Sequence, residues 1–315
     1  MYWKIVLIKQ VPNKPEQILF ITLSCVGDAV MTTSVLQALH KLYPEACIDI
    51  VADRRSEIIF KNCPFRGEIF YKDKDKFLRG APALIKQLAA KRYEVIVDLR
   101  TDGLAYLLKG KKRFTKWNGE SYGLHAIESL MGIIRNIYGE QAIPAPRIWL
   151  EEDSIIFAKE TLSAFPGNNI LAIGPGCSGK KPEKFWPTKS YALLANGLKD
   201  VFDVILLLGG PGDKKLVMEI VDELKLPYID MCDKTDLLQA AALLNLSKFF
   251  VGSDSGLGHV AAAVDTSTLS FFSVDDPERC LPWGPSASWL MGKNRDARNI
   301  SVIEADAKIR TAISG

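Results

Sequence analysis

The chain has 315 residues, 48% hydrophobic and 24% charged, with a formal net charge of +3, which suits two globular domains of about 150 residues and is too balanced for a dedicated nucleic-acid binder. No apolar run reaches the roughly 18 to 20 residues of a membrane span, and the opening MYWKIVLIKQVP is too short and too broken by charge for a signal peptide, so a cytoplasmic protein is expected. Cys25, Cys47, Cys63, Cys177, Cys232 and Cys280 lie far apart with no C-x-x-C pair, and the three histidines show no ligand spacing; neither a disulfide framework nor a zinc site is indicated.

In chain order, ILFITLS (18–24) reads as a strand, AVMTTSVLQALHKLY (29–43) as a helix, and CIDIVA (47–52) and YEVIVDLR (93–100) as further strands. A loop-rich section follows, through NGESYGLHAIESLMGIIRNIYG (118–139) and AIPAPRIWL (142–150). The alternation then restarts. NNILAIGPG (168–176), VFDVILLLGGPGD (201–213), LPYIDM (226–231), KFFVGSDSG (248–256) and TSTLSFFS (266–273) each run from a strand into a turn. TKSYALLANGLKD, DKKLVMEIVDELK and TDLLQAAALLNLS have helical spacing between them. The pattern predicts two doubly wound α/β domains with parallel sheets, 1–150 and 151–315, without repeats. In such sheets ligands bind beyond the carboxyl ends of the strands, so the strand-end turns are the candidate sites.

Four turns carry candidate chemistry. In KFFVGSDSGLGHVAAA, Asp254, Ser255 and Gly256 fall where a strand gives way to a helix, whose unpaired N–H groups favour an anion; simple helix capping competes, and His259 fits a buried core position equally. GPGCSGKKPEKFWPTKSY (174–191) nearly spells a phosphate-binding Walker loop with Gly174, Gly179 and Lys180, but Lys181 stands where Ser or Thr should hold magnesium, so the loop reads as one projecting Lys184. After LLLGGPGD, Asp213 suits a ribose hydroxyl or a helix cap. In LSCVGDAVMTTSVLQAL (23–39), Asp28 follows the first strand and is a second candidate acid, again against a capping role. DRRSEIIFK (53–61) and LKGKKRFTK (108–116) cluster cations, either as a solvated face or as a cradle for an anionic substrate or membrane surface.

Taken together and in order, GDAVMTTSVLQAL, DLR (98–100), HAIES (125–129), KFWP (184–187), GGPGD (209–213), GSDSGLGHVAAA (252–263) and DDPERCLPWG (275–284) resemble the successive blocks of the family-9 glycosyltransferases, the ADP-heptose:lipopolysaccharide heptosyltransferases. The resemblance implies a GT-B fold, two Rossmann-like domains facing a central cleft, and inverting transfer of heptose from ADP-heptose to a lipopolysaccharide inner-core acceptor, with no cofactor and no metal. It implies an N-terminal acceptor domain, a C-terminal donor domain, and a last helix able to pack back on the N-terminal domain. Asp28 would be the general base and Lys184 the group on the donor diphosphate. Asp254 would hold sugar hydroxyls, Ser255, Gly256 and Leu257 would offer backbone donors to the phosphates, and His259 would brace that turn or touch a phosphate. Asp213 stands where the family often has Glu on the ribose. Arg54, Arg55, Arg100, Lys112 and Arg113 would face the anionic glycolipid, with peripheral contact at the inner membrane face. Two features depart from the family pattern: an extra segment, MYWKIVLIKQVPNKPEQ, read as an added edge strand or an aromatic-basic membrane contact, and a short region between 66 and 92. A nucleotide triphosphatase built on GPGCSGKK, a relative using another nucleotide sugar, and a non-catalytic nucleotide-sugar binder are the competing readings.

Overall fold

The computed structural model describes residues 14–72, 77–120, 122–165, 169–177, 179 and 181–314. The extra-strand and membrane readings of the first 13 residues, and Lys180 of the Walker-like loop, lie outside the described residues. The chain divides into two compact units, the first closing at Pro144 and the second opening at Ala145, with Val26–Met31 grouped with the second.

The first unit runs β1 (Gln17–Ile21), α1 (Val26–Leu42), β2 (Cys47–Ala52), β3 (Arg66–Tyr71), α2 (Phe77–Ala89), β4 (Tyr93–Asp98), α3 (Leu104–Leu107), β5 (Gly110–Thr115), α4 (Ala126–Met131) and α5 (Arg135–Tyr138). Its five strands are all parallel, in the order β3-β2-β1-β4-β5. The second runs α6 (Glu152–Thr161), β6 (Ile170–Gly174), α7 (Thr188–Gly197), β7 (Val204–Leu207), α8 (Lys214–Val221), β8 (Tyr228–Asp230), α9 (Leu237–Asn245), β9 (Phe249–Ser253), α10 (Gly256–Ala262), β10 (Ser267–Phe272), α11 (Pro277–Cys280), β11 (Ala287–Met291) and α12 (Val302–Ser314). Its six parallel strands follow the order β11-β10-β9-β6-β7-β8. Among the described residues no helix is long and apolar enough to cross a membrane.

Central strands β1, β6, β7 and β9 are apolar almost throughout because helices cover both faces of a parallel sheet. The region between 66 and 92, read as short for the family, holds β3 and α2. Edge strand β3, RGEIFY, buries only Phe70 fully, so its pattern is too polar to announce a strand.

The core of the second unit centres on Trp186, Tyr191 and Phe271. Trp186 meets Tyr191 edge-on at 4.8 Å between ring centroids and donates Nε1–H to the Ile300 carbonyl at 2.9 Å. Ser253 Oγ gives its hydrogen to the Pro175 carbonyl at 3.1 Å, so the Tyr191 hydroxyl is the donor in its 3.2 Å bond to Ser253 Oγ. That buried chain ties the end of β9 to the loop after β6. Tyr191→Phe removes one buried hydrogen bond and should cost about 1 kcal/mol, read as a lower denaturant midpoint at unchanged slope. The last helix, α12, buries Ala305 and Ile309 in this same core, and Arg310 bonds Asp200 at 2.7 Å, so it packs on α7 within its own unit. The reason is a one-sided apolar stripe four residues apart, met by the apolar face of α7.

Candidate functional site

In the second unit the chain leaves β6 toward β7 and β8 on one side, while β9 leads to β10 and β11 on the other. The neighbouring pair β6 and β9 is therefore the switch point, where a crevice opens beyond the carboxyl ends. The two strands approach so closely there that a Cβ at Gly252 would lie 2.5 Å from the Gly174 carbonyl oxygen. Only glycine fits.

A cavity of about 340 Å³ opens at this edge, a size suited to a small ligand, lined among others by Gly176, Gly210, Asp213, Asp236, Ser255, Gly256 and Leu257. Asp213 Oδ2 accepts from the Gly210 N–H at 2.8 Å, so this carboxylate both fastens the glycine turn and lines the cavity. It also lies against Gly176, where a Cβ would come within 2.1 Å of Oδ1. Asp236 accepts from Gln239 N–H at 2.8 Å and caps α9. At α10 the capping position is Ser255, yet its side chain makes no cap bond, and its Oγ is buried with no hydrogen-bond partner among the described residues. The capping alternative for Asp254 and Ser255 thus fails, and an unsatisfied hydroxyl stands beside helix N–H groups, where an anion is favoured. His259 is buried within α10.

Three adjacent strands converge beside the cavity. Lys184, from the turn Pro182–Lys184 in the loop after β6, is only 9% exposed; its Nζ lies 2.6 Å from Asp275 Oδ2, after β10, and 3.7 Å from Asp254 Oδ2, after β9. Burial opposes the charge on Lys184, but Asp275 and Asp254 more than offset it and hold its pKa above the usual lysine value. Burial pushes the Asp254 carboxyl up to about 6, Lys184 pulling it down and Asp275 pushing it further up. The Lys184 hydrogen bond holds Asp275 below the usual carboxylate range. Asp275 was within reach of sequence reasoning, as the first acid after a strand in DDPERC, but no spacing singled it out.

Asp28 lies half-buried in the first turn of α1, where Cys25 holds the capping position, so the carboxylate is not the cap. The proposed acceptor cations do not form one cluster. Arg54 stacks over the Tyr71 ring at 4.6 Å, and Arg55 makes a two-pronged pair with Asp53 at 2.8 and 3.1 Å, both at the carboxyl end of β2. Arg100 Nη2 donates to Ser24 Oγ at 2.7 Å, while its Nε and Asp98 Oδ2 are buried without a partner among the described residues. Lys112 and Arg113 instead sit mid-strand in edge strand β5, opposite Val95 and Ile96, three strand spacings or roughly 14 Å from β2. Lys112 rests over the Phe114 ring, and Arg113 donates to the carbonyls of Ala105 and Leu108 at 2.8 and 2.6 Å. Its guanidinium fastens α3 to β5.

The Walker reading fails on local structure. The loop after β6 passes through a single 3-10 turn at Pro182–Lys184, and α7 starts only at Thr188, so no α-helix follows Lys181 directly. Comparison with known proteins points elsewhere. The family model of glycosyltransferase family 9 (heptosyltransferase) matches residues 113–305. The chain belongs to glycosyltransferase family 9. As a family-9 glycosyltransferase it is 27% identical over 303 residues to lipopolysaccharide heptosyltransferase 2 of Escherichia coli, covering 84% of this chain and 85% of that one. It is 24% identical over 292 residues to the lipopolysaccharide core heptosyltransferase OpsX of Haemophilus influenzae, covering 85% and 82%. Among solved structures, a family-9 glycosyltransferase from Veillonella parvula superposes with a TM-score of 0.85 at 18% identity, covering 96% and 98%. The E. coli heptosyltransferase WaaC with ADP gives 0.75 at 17%, covering 94% and 99%. These likenesses establish the GT-B fold of this glycosyltransferase.

Proposed function

We propose that the protein transfers a heptose from ADP-heptose to the inner core of lipopolysaccharide, with inversion and without a metal ion, in the cytoplasm. The observation that carries this reading is the buried Lys184, fixed between Asp275 and Asp254 beside the Ser255 hydroxyl and the start of α10. Its relatives' names, lipopolysaccharide heptosyltransferase, support the acceptor class, and the ADP held by WaaC supports the donor.

On this reading the adenosine diphosphate occupies the cavity, with Asp213 at the ribose and the N–H groups of Ser255, Gly256 and Leu257 toward the phosphates. As the sugar–oxygen bond breaks, negative charge grows on the β-phosphate, and Lys184 with the α10 N-terminus stabilises it, a task that magnesium performs elsewhere. The acceptor hydroxyl oxygen bonds to the anomeric carbon from the opposite face while its proton passes to Asp28, so one displacement inverts the centre. Asp254 holds sugar hydroxyls, and Arg54, Arg55 and Arg100 meet acceptor phosphates or carboxylates. Lys112 and Arg113 have no direct part on this geometry.

The reading is tested by thermal shift across ADP-, UDP-, GDP- and CDP-sugars with and without EDTA. ADP compounds alone should raise Tm, by several degrees at a hundred times Kd, and chelation should leave the shift unchanged. A shift abolished by EDTA overturns the metal-free reading, and a preference for another nucleotide overturns the donor.

A further inference from the structure

The cluster around Lys184 holds more negative charge than its one ammonium can match. Two carboxylates reach the same nearly buried Nζ, Asp275 Oδ2 at 2.6 Å and Asp254 Oδ2 at 3.7 Å. They differ in access to water: the Asp275 side chain is 46% exposed and that of Asp254 only 15%. Burial raises the Asp254 carboxyl, and a hydrogen bond shared with Asp275 raises it further; the Lys184 bond lowers Asp275, and the Asp254 bond lowers it further. A bond between two carboxyl groups needs a proton on one of them, and these directions put it on Asp254.

The other groups facing the pair do not compete for that proton. Lys181, in the same loop as Lys184, adds to the lowering of Asp275. Cys177 of that loop and Cys280 of α11 face both acids, but burial pushes the Cys177 thiol up to about 11 and raises that of Cys280 as well. Both thiols stay neutral while Asp254 titrates. On α10 the one group that titrates near neutrality is His259.

We propose that Asp275 is a positioning residue that makes donor binding proton-linked: as the diphosphate draws Lys184 to itself, Asp254 and Asp275 close on one proton taken from solvent. The inference rests on the donor reading of this site. Once the ammonium turns away, two carboxylates in contact cannot both stay ionised, so the pair keeps a proton that Asp254 alone would release near neutrality. One positive charge goes to the phosphates and one proton replaces it. Asp275 thus steadies the lysine before binding and the proton afterwards, and donor affinity falls as pH rises and protons become scarce.

The test is calorimetry of ADP-heptose binding without acceptor, in buffers of different ionisation enthalpy, from pH 5 to pH 8. Neither phosphate of ADP-heptose carries a proton that titrates in this range, unlike the terminal phosphate of ADP, so any uptake belongs to the protein. The native chain should take up most of one proton per donor at pH 7 and almost none at pH 5, where Asp254 already holds one. Affinity should fall by up to about tenfold per pH unit above pH 6. Asp275→Asn, at a half-exposed position, leaves an ammonium that can hold Asp254 and a phosphate at once. It should lose most of the uptake and bind the donor roughly tenfold or more tightly at pH 8, because a charged competitor is gone. Asp275→Glu should restore the uptake. A residue that only braced its loop would instead weaken binding when replaced and leave the uptake in place. Binding without proton uptake, weaker binding by Asp275→Asn, or uptake that persists in it and so belongs to a group such as His259 would overturn the inference while the donor reading stands. A native chain that does not bind ADP-heptose overturns both.

Discussion

Asp28→Asn is expected to cut kcat by roughly 10²- to 10⁴-fold while leaving ADP affinity within about twofold of the native value. The substitution keeps the shape of the side chain and removes its capacity to take a proton, which is the role proposed for it. Asp28 stands in the first turn of α1 without being its cap, so the loss should not come from an unravelled helix. Turnover of the variant with the native acceptor, measured beside ADP binding and circular dichroism, is the decisive comparison. Near-native turnover would send the search to Asp98 or Asp102, and of these Asp98 is fully buried beside Arg100 while Asp102 pairs with Lys72.

Lys184→Ala should lower both quantities, kcat by roughly 10²- to 10³-fold and ADP affinity by roughly tenfold, since in the proposed role this ammonium meets the diphosphate before and during bond breaking. A pH signature separates this charge effect from simple cavity loss. The Asp254 carboxyl sits at about 6 against its ordinary 3.8, so the folded chain holds that proton more tightly than the unfolded one. Its contribution to stability is full below about pH 4 and is lost as pH rises through the folded value. Deleting Lys184 removes the attraction that lowers this pKa, so the variant should be destabilised more at pH 8 than at pH 5. Equal losses at both pH values would mean that the lysine does not govern Asp254, and unchanged ADP affinity would remove it from the donor site.

Much of the fold was legible because buried parallel strands leave apolar runs, as β1, β2, β4, β6, β7, β9 and β10 all do, and β6, β7 and β9 run into glycine. What escaped were three edge strands, β3, β5 and β11, with RGEIFY and GKKRFT too polar to stand out from a loop, whereas edge strand β8 was legible in LPYIDM. The same blindness shaped the view of the cations. In GKKRFT, Lys112 and Arg113 read as a ligand cradle, whereas Arg113 spends its donors on backbone carbonyls and only the structure shows that strand position. Asp254 and Lys184 were legible from their turns. Their meeting with Asp275 was not, because three residues separated by 91 positions at the extremes come together only through the order of β6, β9 and β10.

That meeting bears on how the enzyme lets go of what it binds. Lys184 already holds an anion, the Asp275 carboxylate, so in the proposed donor role an arriving diphosphate would have to displace a resident rather than fill a vacancy. Net affinity is then the difference between two ion pairs, smaller than either, and the lysine is kept aimed while it waits. When the spent nucleotide loosens, the carboxylate is at hand to take the ammonium back, which favours the next turnover over the tight retention of product.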